Sequence, residues 1–505
     1  MKDLLESYLL EEPDSQYRQE IKNLDPSQLA DRLEGQWRFG TAGFRAKMEA
    51  GYLRLNRVSV AKIAYALGKY LKTGSKVVIG YDGRHHSQEY ALLVAQVLDA
   101  LGHESILFSK LVPTPICAFS VTELKADAGL MVTASHNPPK DNGIKIYGPD
   151  GAQLVAPTTH AIEAILDQAP GYPEIKLSSK APQRVPESVI DAYFGNLTVS
   201  AGKPISIIYT PMHGVGEYYA VRALRQAGFE NVHVVPSQAK PDGDFPTVQF
   251  PNPEEPGALD KAIELAQQTQ AELILANDPD ADRLAVCIGT QALTGNEIGV
   301  LLGNYLIENH HGKKKPLVMS TIVSSRMLSK IASVKQVSYA ETLTGFANIA
   351  HTALEREKQF GEEFIFGYEE ALGYCVGNRV RDKDGISAAV LFAKLFSELK
   401  SQHKTVWQKL AQLSETYGLY RNLAWSLRGD LKLILERAQN LKGFEKQISP
   451  APGLLLYTGE HDLRLIIRPS GTEPKVKFYA EVIGQPSQQK ELDQFLAQVQ
   501  GQINV

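Results

Sequence analysis

A chain of 505 residues is too long for one ordinary core, and at roughly 100–200 residues per domain it should hold about three to five. Its net charge of −4 and 22% charged residues give no reason to expect nucleic acid as a partner, although a local basic patch can still hold phosphate. No apolar run reaches the ~18 residues of a membrane span, and the three cysteines, Cys117, Cys287 and Cys375, form no CxxC pair, which argues against a zinc site or a disulfide framework. The opening "MKDLLESYLLEEPD" is acidic and lacks a long apolar core, so no secretory signal is expected and the expected compartment is the cytoplasm.

In chain order, "FGTAGFRAKM" from Phe39 is a glycine-rich loop carrying Gly40, Thr41, Gly43 and Arg45. "VSVAKIAYALGKYLKTG" then sets Val60, Ile63, Leu67 and Leu71 on one helical face and predicts a C′ glycine at Gly74. "KVVIGYDGR" from Lys76, "AGLMVTASHN" from Ala128, "ISIIYTPMHG" from Ile205 and "ELILANDPDADR" from Glu272 share one form. So do "EFIFGYEEALGY" from Glu363 and "LRLIIRPSGTEP" from Leu463. Each is a short apolar run followed by a polar loop, which predicts strands buried on both faces. "NEIGVLLGNYLIEN" aligns Ile298, Leu301, Leu302, Tyr305 and Leu306 as a helix. Such alternation means α/β layers, with ligands at the carboxyl ends of the strands. "EPKVKFYAEV" alternates Val476, Phe478, Ala480 and Val482 with other residues. It predicts a half-exposed antiparallel strand in a separate α+β domain.

The loops carry the chemistry. Asp278, Asp280 and Asp282 follow one another at a spacing that can aim three hard oxygens at one Mg²⁺. A calcium EF-hand would next need glycine and an acid where this chain has Arg283 and Gly289. "RPSGTEP" offers the Arg468 fork, the Ser470 and Thr472 hydroxyls and a turn at Gly471, a set that can cradle phosphate. No nucleotide P-loop and no Rossmann fingerprint is present. In "TASHNPPKDNGIKIYG", Ser135 follows a buried strand, with His136, Lys140 and Lys145 nearby. No G-x-S-x-G elbow surrounds it, which disfavours an acyl-enzyme serine. Phosphoryl transfer beside a cation fits it better. The bland readings are a solvated acidic turn, an ordinary glycine turn and a serine that caps a Pro-rich loop.

Taken in this order, "TASHNP", "DPDADR", "GYEEALG" and "RPSGTEP" resemble the phosphoserine, metal, sugar and phosphate loops of the α-D-phosphohexomutase superfamily. "GTAGFRAKM", "YTPMHGVG", "LTGNEIG", "ETLTGF" and "DKDGISAA" resemble its branch of phosphoglucomutases and phosphopentomutases. The resemblance implies an α/β fold of three similar mixed-sheet domains plus a C-terminal α+β domain around a central cleft. The boundaries expected are 1–197, 198–296, 297–413 and 414–505.

The resemblance also implies a mechanism. Ser135 carries phosphate and gives it to a sugar monophosphate, forming a bisphosphate that reorients and returns its other phosphate. One Mg²⁺ per chain would sit on Asp278, Asp280, Asp282 and the phosphoserine of Ser135, with Arg283 stabilising the phosphoryl group and Arg45 supporting the serine. Lys145 is the first candidate for general base and His136 the second. Thr344, Gly345, Glu369 and Lys383 would bind substrate, and Arg468, Ser470, Gly471 and Thr472 would clamp the phosphate that is not reacting. Two positions depart from the family pattern: Ala371 stands where serine is frequent and Ala347 where lysine is frequent. Both touch sugar selection. The expectation is glucose 1-phosphate to glucose 6-phosphate, with glucose 1,6-bisphosphate as intermediate and activator, in a monomer or homodimer. Pentose or mannose phosphates are the same-chemistry alternative, followed by a phosphoserine phosphatase and an idle sugar-phosphate binder.

Overall fold

The computed structural model describes residues 1–40, 42–195, 197, 202–439, 441, 443–449, 451, 453–469 and 475–504. Thr41 and the expected phosphate-loop residues Ser470, Gly471 and Thr472 lie outside the described residues. The chain forms two compact units, one of Met1–Leu293 with Ala371–Ser397, the other of Thr294–Glu370 with Glu398–Val505.

The first unit holds two mixed sheets. One contains β1 (Phe44–Lys47), β2 (Lys76–Tyr81), β3 (Glu104–Leu107), β4 (Ala128–Val132), β5 (Asp141–Tyr147) and β6 (Gln183–Arg184), in the order β1-β5-β4-β2-β3-β6. The apolar runs behave as predicted: every residue of β4, and all of β2 after Lys76, is buried. Val77, Ile79, Leu130, Val132, Ile144 and Ile146 share a core with helices Arg57–Tyr70 and Ser87–Ala100. Each such side chain contributes about 1.5–3 kcal/mol on burial. β4 runs parallel to β2 but antiparallel to β5. Residues 133–140 therefore form a reversal loop at the carboxyl end of β4. Helix Arg57–Tyr70 starts in a capping box between Asn56 and Ser59 and ends at Tyr70, with Leu71 already extended. Gly74 is thus not its C′ residue; its positive φ serves the next turn, where its N–H donates to Gly102.

The second sheet contains β7 (Ile207–Thr210), β8 (Val232–Val234), β9 (Leu273–Ala276), β10 (Ala285–Ile288) and β11 (Gln291–Ala292), in the order β11-β10-β9-β7-β8. β9 and β10 are antiparallel, so the Asp-rich loop is again a reversal at a strand's carboxyl end. Three helices, Lys2–Glu11, Ser15–Lys22 and Pro26–Leu33, precede the first sheet and bury Tyr8, Ile21 and Leu33 with Ala50 and Val58.

In the second unit, helix Gly295–Glu308 is capped by Thr294 and Glu297. The parallel strands β12 (Pro316–Thr321), β13 (Ser338–Thr342) and β14 (Glu363–Glu369) follow, with β12 central. After β14 the chain returns to the first unit with β15 (Gly373–Val376). The last sheet is antiparallel: β16 (Leu419–Arg428), β17 (Glu445–Lys446), β18 (Leu455–Gly459), β19 (Leu463–Pro469) and β20 (Lys475–Gly484), in the order β16-β20-β19-β18-β17. Val476, Phe478, Ala480 and Val482 share its core with Leu492, Leu496 and Val499 of helix Gln489–Asn504. The other face of β20 is less exposed than its alternation predicts, because Glu481 is buried against Arg326, with Nε to Oε1 at 2.6 Å. Among the described residues no helix is long and apolar enough to cross a membrane. All three cysteines are buried.

Candidate functional site

Two loops of the first unit meet at Ser135. The Ser135 N–H donates to Thr133 Oγ1 at 2.8 Å, and φ at Ser135 is +54°. A serine in this left-handed region costs on the order of 1 kcal/mol or more, a strain that concentrates at functional sites. The serine is 2% exposed. Its Oγ donates to Asp278 Oδ2 at 2.7 Å and lies 3.1 Å from His136 Nδ1. The half-buried His136 ring is held well below its usual range, because desolvation disfavours its charged form and it faces the Arg283 and Arg45 guanidiniums.

Asp278, Asp280 and Asp282 each bring one carboxylate oxygen within 4.8 Å of the others, and all three residues are buried. Ala281 takes a positive φ of 56°, which turns the chain tightly between the second and third acid. Gly214 makes room for this loop: a Cβ there would lie 2.2 Å from Pro279 Cα. The oxygens are divided in an orderly way. Asp278 Oδ1 accepts from the Arg283 N–H at 3.0 Å. Lys145 Nζ donates to Asp280 Oδ2 and Asp282 Oδ2, both at 2.7 Å, and Thr114 Oγ1 donates to Asp280 Oδ2 at 2.6 Å. Asp280 Oδ1 and Asp282 Oδ1 are buried and accept from no described residue. Two donorless anionic oxygens beside a third carboxylate suit a hard divalent cation.

The electrostatics agree. Burial and repulsion from Asp280 and Asp282 push Asp278 well above the usual carboxylate range. Burial opposes charge on Asp282 too, but Lys145, Lys383 and Arg283 outweigh it and hold that carboxyl far below the usual range. Burial would neutralise Lys145, yet Asp280 and Asp282 more than offset it and keep its ammonium protonated above the usual lysine range. Lys145, the first expected base, is thus charge-paired with two of the three acids in this arrangement. Lys383 Nζ lies 3.3 Å from Asp282 Oδ2, which draws it to the acidic loop. Arg283 Nη1 pairs with Glu254 at 3.2 Å and Nη2 lies 3.4 Å from His136 Nε2. Arg45 Nη1 donates to Asn137 Oδ1 at 3.1 Å. Lys140 is exposed.

The second unit brings together another part of the expected set. Glu369, at the end of β14, accepts from the Gly345 N–H at 2.7 Å. Arg468, on β19, donates to Thr344 Oγ1.

Four family descriptions match in succession. Residues 36–172, 189–291 and 294–417 match the phosphoglucomutase/phosphomannomutase alpha/beta/alpha domains I, II and III, and residues 435–499 match the C-terminal domain of that family. The chain belongs to the phosphoglucomutase/phosphomannomutase family. It is a phosphomutase of the α-D-phosphohexomutase superfamily, an intramolecular phosphotransferase acting as an isomerase. A probable phosphomannomutase of Haemophilus influenzae is 40% identical over 476 residues, covering 88% of this chain and 96% of the relative. A phosphopentomutase of Mus musculus is 33% identical, covering 92% and 87%. A phosphoglucomutase of Staphylococcus epidermidis is 34% identical, covering 88% and 90%. The solved structure of a putative phosphomannomutase from Thermus thermophilus has the same fold, with a TM-score of 0.72, 22% identity and coverage of 92% and 99%.

Three residues of this phosphomutase escaped the sequence reading. Thr114 braces Asp280 through its hydroxyl and also through its N–H, which donates to the Asp280 carbonyl at 2.9 Å. Asp82 and Arg84 hold the Ser135 loop from β2. The only signal they gave was "YDGR" after a buried strand, a strand-end polar loop like several others. Their contacts with that loop span 51 to 57 residues of sequence and are mostly to backbone atoms, which no side-chain pattern announces.

Proposed function

We propose that this phosphomutase interconverts glucose 1-phosphate and glucose 6-phosphate, with Ser135 as phosphate carrier and glucose 1,6-bisphosphate as the intermediate. The observation that carries the reading is the Ser135 Oγ, 2.7 Å from Asp278 Oδ2, on a carboxylate trio with two donorless oxygens. In the first half-reaction the bond from phosphorus to Ser135 Oγ breaks, a bond from phosphorus to a sugar oxygen forms, and the sugar hydroxyl proton passes to a base. In the second, the bisphosphate's other bond from phosphorus to a sugar oxygen breaks, the bond to Ser135 Oγ re-forms, and the proton goes to the sugar oxygen that is released. A divalent cation, magnesium by its all-oxygen donor set, would be held by Asp278, Asp280, Asp282 and phosphoserine and would offset charge on the phosphoryl group.

The chain's own residues supply the rest. Lys145 or His136 would take the sugar hydroxyl proton: Lys145 Nζ is paired with Asp280 and Asp282, and His136 Nδ1 lies 3.1 Å from the Ser135 Oγ. Arg283 and Arg45 would add positive charge around the serine, and Lys383, 3.3 Å from Asp282, would bind substrate. Arg468 with Ser470, Gly471 and Thr472 would hold the phosphate that is not reacting, and Glu369 with Thr344 and Gly345 would hold sugar hydroxyls. The work would be shared among domains 1–197, 198–296, 297–413 and 414–505. The compartment would be the cytoplasm, in keeping with three cysteines that lie far apart in the sequence with no CxxC pair.

The relatives named for mannose and pentose phosphates support the same chemistry on those sugars, and Ala371 and Ala347 bear on the choice. A coupled assay over glucose, mannose, glucosamine and ribose 1-phosphates tests it, with peptide mapping for phosphate on Ser135. Glucose 1-phosphate should give the highest kcat/KM, Ser135→Ala should abolish turnover, and added glucose 1,6-bisphosphate should activate dephosphorylated enzyme. A tenfold or larger preference for another sugar, about 1.4 kcal/mol in the transition state, would overturn the substrate. Wild-type turnover by Ser135→Ala would overturn the carrier.

A further inference from the structure

Arg84 lies in the turn between β2 and helix Ser87–Ala100, beside the end of β4. Its side chain is fully buried. Both of its terminal nitrogens are spent on carbonyls of one loop. Nη2 donates to the Ser135 carbonyl at 2.6 Å and to the Asn137 carbonyl at 2.5 Å. Nη1 donates to the Pro138 carbonyl at 2.8 Å and the Asp141 carbonyl at 3.0 Å. Those two nitrogens carry four protons, and four carbonyls receive them. The guanidinium carbon stands 5.0 Å from the Phe245 ring centroid, which closes one face.

Asp82 completes the support. Its Oδ2 accepts from Thr133 Oγ1 at 2.7 Å, the same oxygen that accepts the Ser135 N–H. Its Oδ1 accepts from Ser87 Oγ at 2.7 Å and from the Arg84 N–H at 3.1 Å. The loop is thus gripped at entry through Thr133 and from Ser135 to Asp141 through Arg84. Between those grips the serine keeps a left-handed backbone that it would not choose alone.

We propose that Arg84 is a positioning residue for phosphoryl transfer: its planar fork fixes the loop so that Ser135 Oγ points at the carboxylate trio. This rests on Ser135 as the phosphate carrier. Lysine cannot replace the fork, because one ammonium has three protons at a single point. Arg84 touches no reacting atom in this arrangement; it acts through the backbone of the residue that does.

The test uses the full-length Arg84→Lys and Arg84→Ala proteins. Hydrogen exchange by mass spectrometry should show faster exchange across 133–141 with other segments unchanged. For glucose 1-phosphate, kcat should fall on the order of 100-fold, as for a misplacement of about 1 Å, while KM stays within about threefold. Guanidinium ion added to Arg84→Ala should restore at least about tenfold of kcat and do nothing for wild type. Normal protection of 133–141 with kcat within about threefold of wild type would overturn the proposal. So would failure of both variants to fold, which would make Arg84 an element of stability first. If the wild type transfers phosphate to no sugar tested, the carrier reading fails instead, and the exchange result still decides whether Arg84 holds the loop.

Discussion

Lys145 brings a full charge to a fully buried place, and the reason is visible in its partners. Three buried carboxylates in one loop repel one another, and a lysine 2.7 Å from two of them offsets part of that repulsion. Removing one partner of a buried ion pair costs about 3–5 kcal/mol, because the charge left behind has no solvent. Lys145→Met should therefore lose stability on that scale in EDTA, and magnesium should raise its melting temperature more than that of wild type. Equal melting temperatures for the two proteins in EDTA would mean that the lysine does not balance the acids. The sequence showed the acids because they sit together at alternate positions. It hid the ion pairs of Lys145, since its two partners are 135 and 137 residues away.

At the scale of elements, the apolar runs were legible because burial on both faces demands unbroken β-branched stretches, as in β4 and β9. What could not be read was how closely neighbouring elements approach. Gly385, which opens helix Gly385–Ser401, shows this: a Cβ there would lie 2.2 Å from the Arg283 carbonyl oxygen and 2.6 Å from Asn277 Nδ2. Gly385→Ala should cost about 1–3 kcal/mol through overpacking. It should also lower kcat, since it pushes on the backbone of Arg283 next to Asp282. Unchanged urea unfolding and kcat would show that the helix can shift freely.

A second contact between elements sets a pH dependence. Arg356, on helix Phe346–Phe360, forks onto Glu362 at 2.6 and 2.8 Å, and Ser338 Oγ on β13 donates to the same carboxylate at 2.5 Å. The Arg356 hydrogen bonds hold the Glu362 carboxyl below its usual range. A depressed carboxyl stabilises the fold above its unfolded value, about 4.3, and that contribution disappears as pH falls through the folded value. Glu362→Gln should be less stable than wild type by about 1 kcal/mol at pH 7. The gap should close as pH is lowered from about 5 to 3, as read by denaturant unfolding at each pH. A gap that stayed constant over that range would remove Glu362 as its source.

At the scale of the molecule, the chain leaves its first unit at Leu293 and returns to it from Ala371 to Ser397. The family's third domain match, 294–417, runs through this returning segment, and strand–helix alternation gives no sign of it. The segment carries much of what the first unit needs. Leu284 donates to the Leu372 carbonyl at 3.0 Å, and Arg283 bridges Gly373. Tyr147 and Gln153 donate to Asp382 at 3.1 and 2.7 Å, and Tyr193 donates to both Asp384 oxygens at 2.9 Å. Val380, Val390 and Leu391 line one small cavity with Phe119 and Tyr193. Burial of those three apolar side chains alone is worth about 5–9 kcal/mol, which matches the whole net stability of a typical domain, about 5–15 kcal/mol. A chain ended at Leu293 should therefore lack a cooperative unfolding transition and should exchange its amides rapidly at 283–288, beside the Asp loop. Hydrogen exchange and thermal melting of the 1–293 fragment check this. A fragment that melted like the full chain, with 283–288 still protected, would show that the first unit closes without the returning segment and that the Asp loop keeps its shape from its own sheet alone.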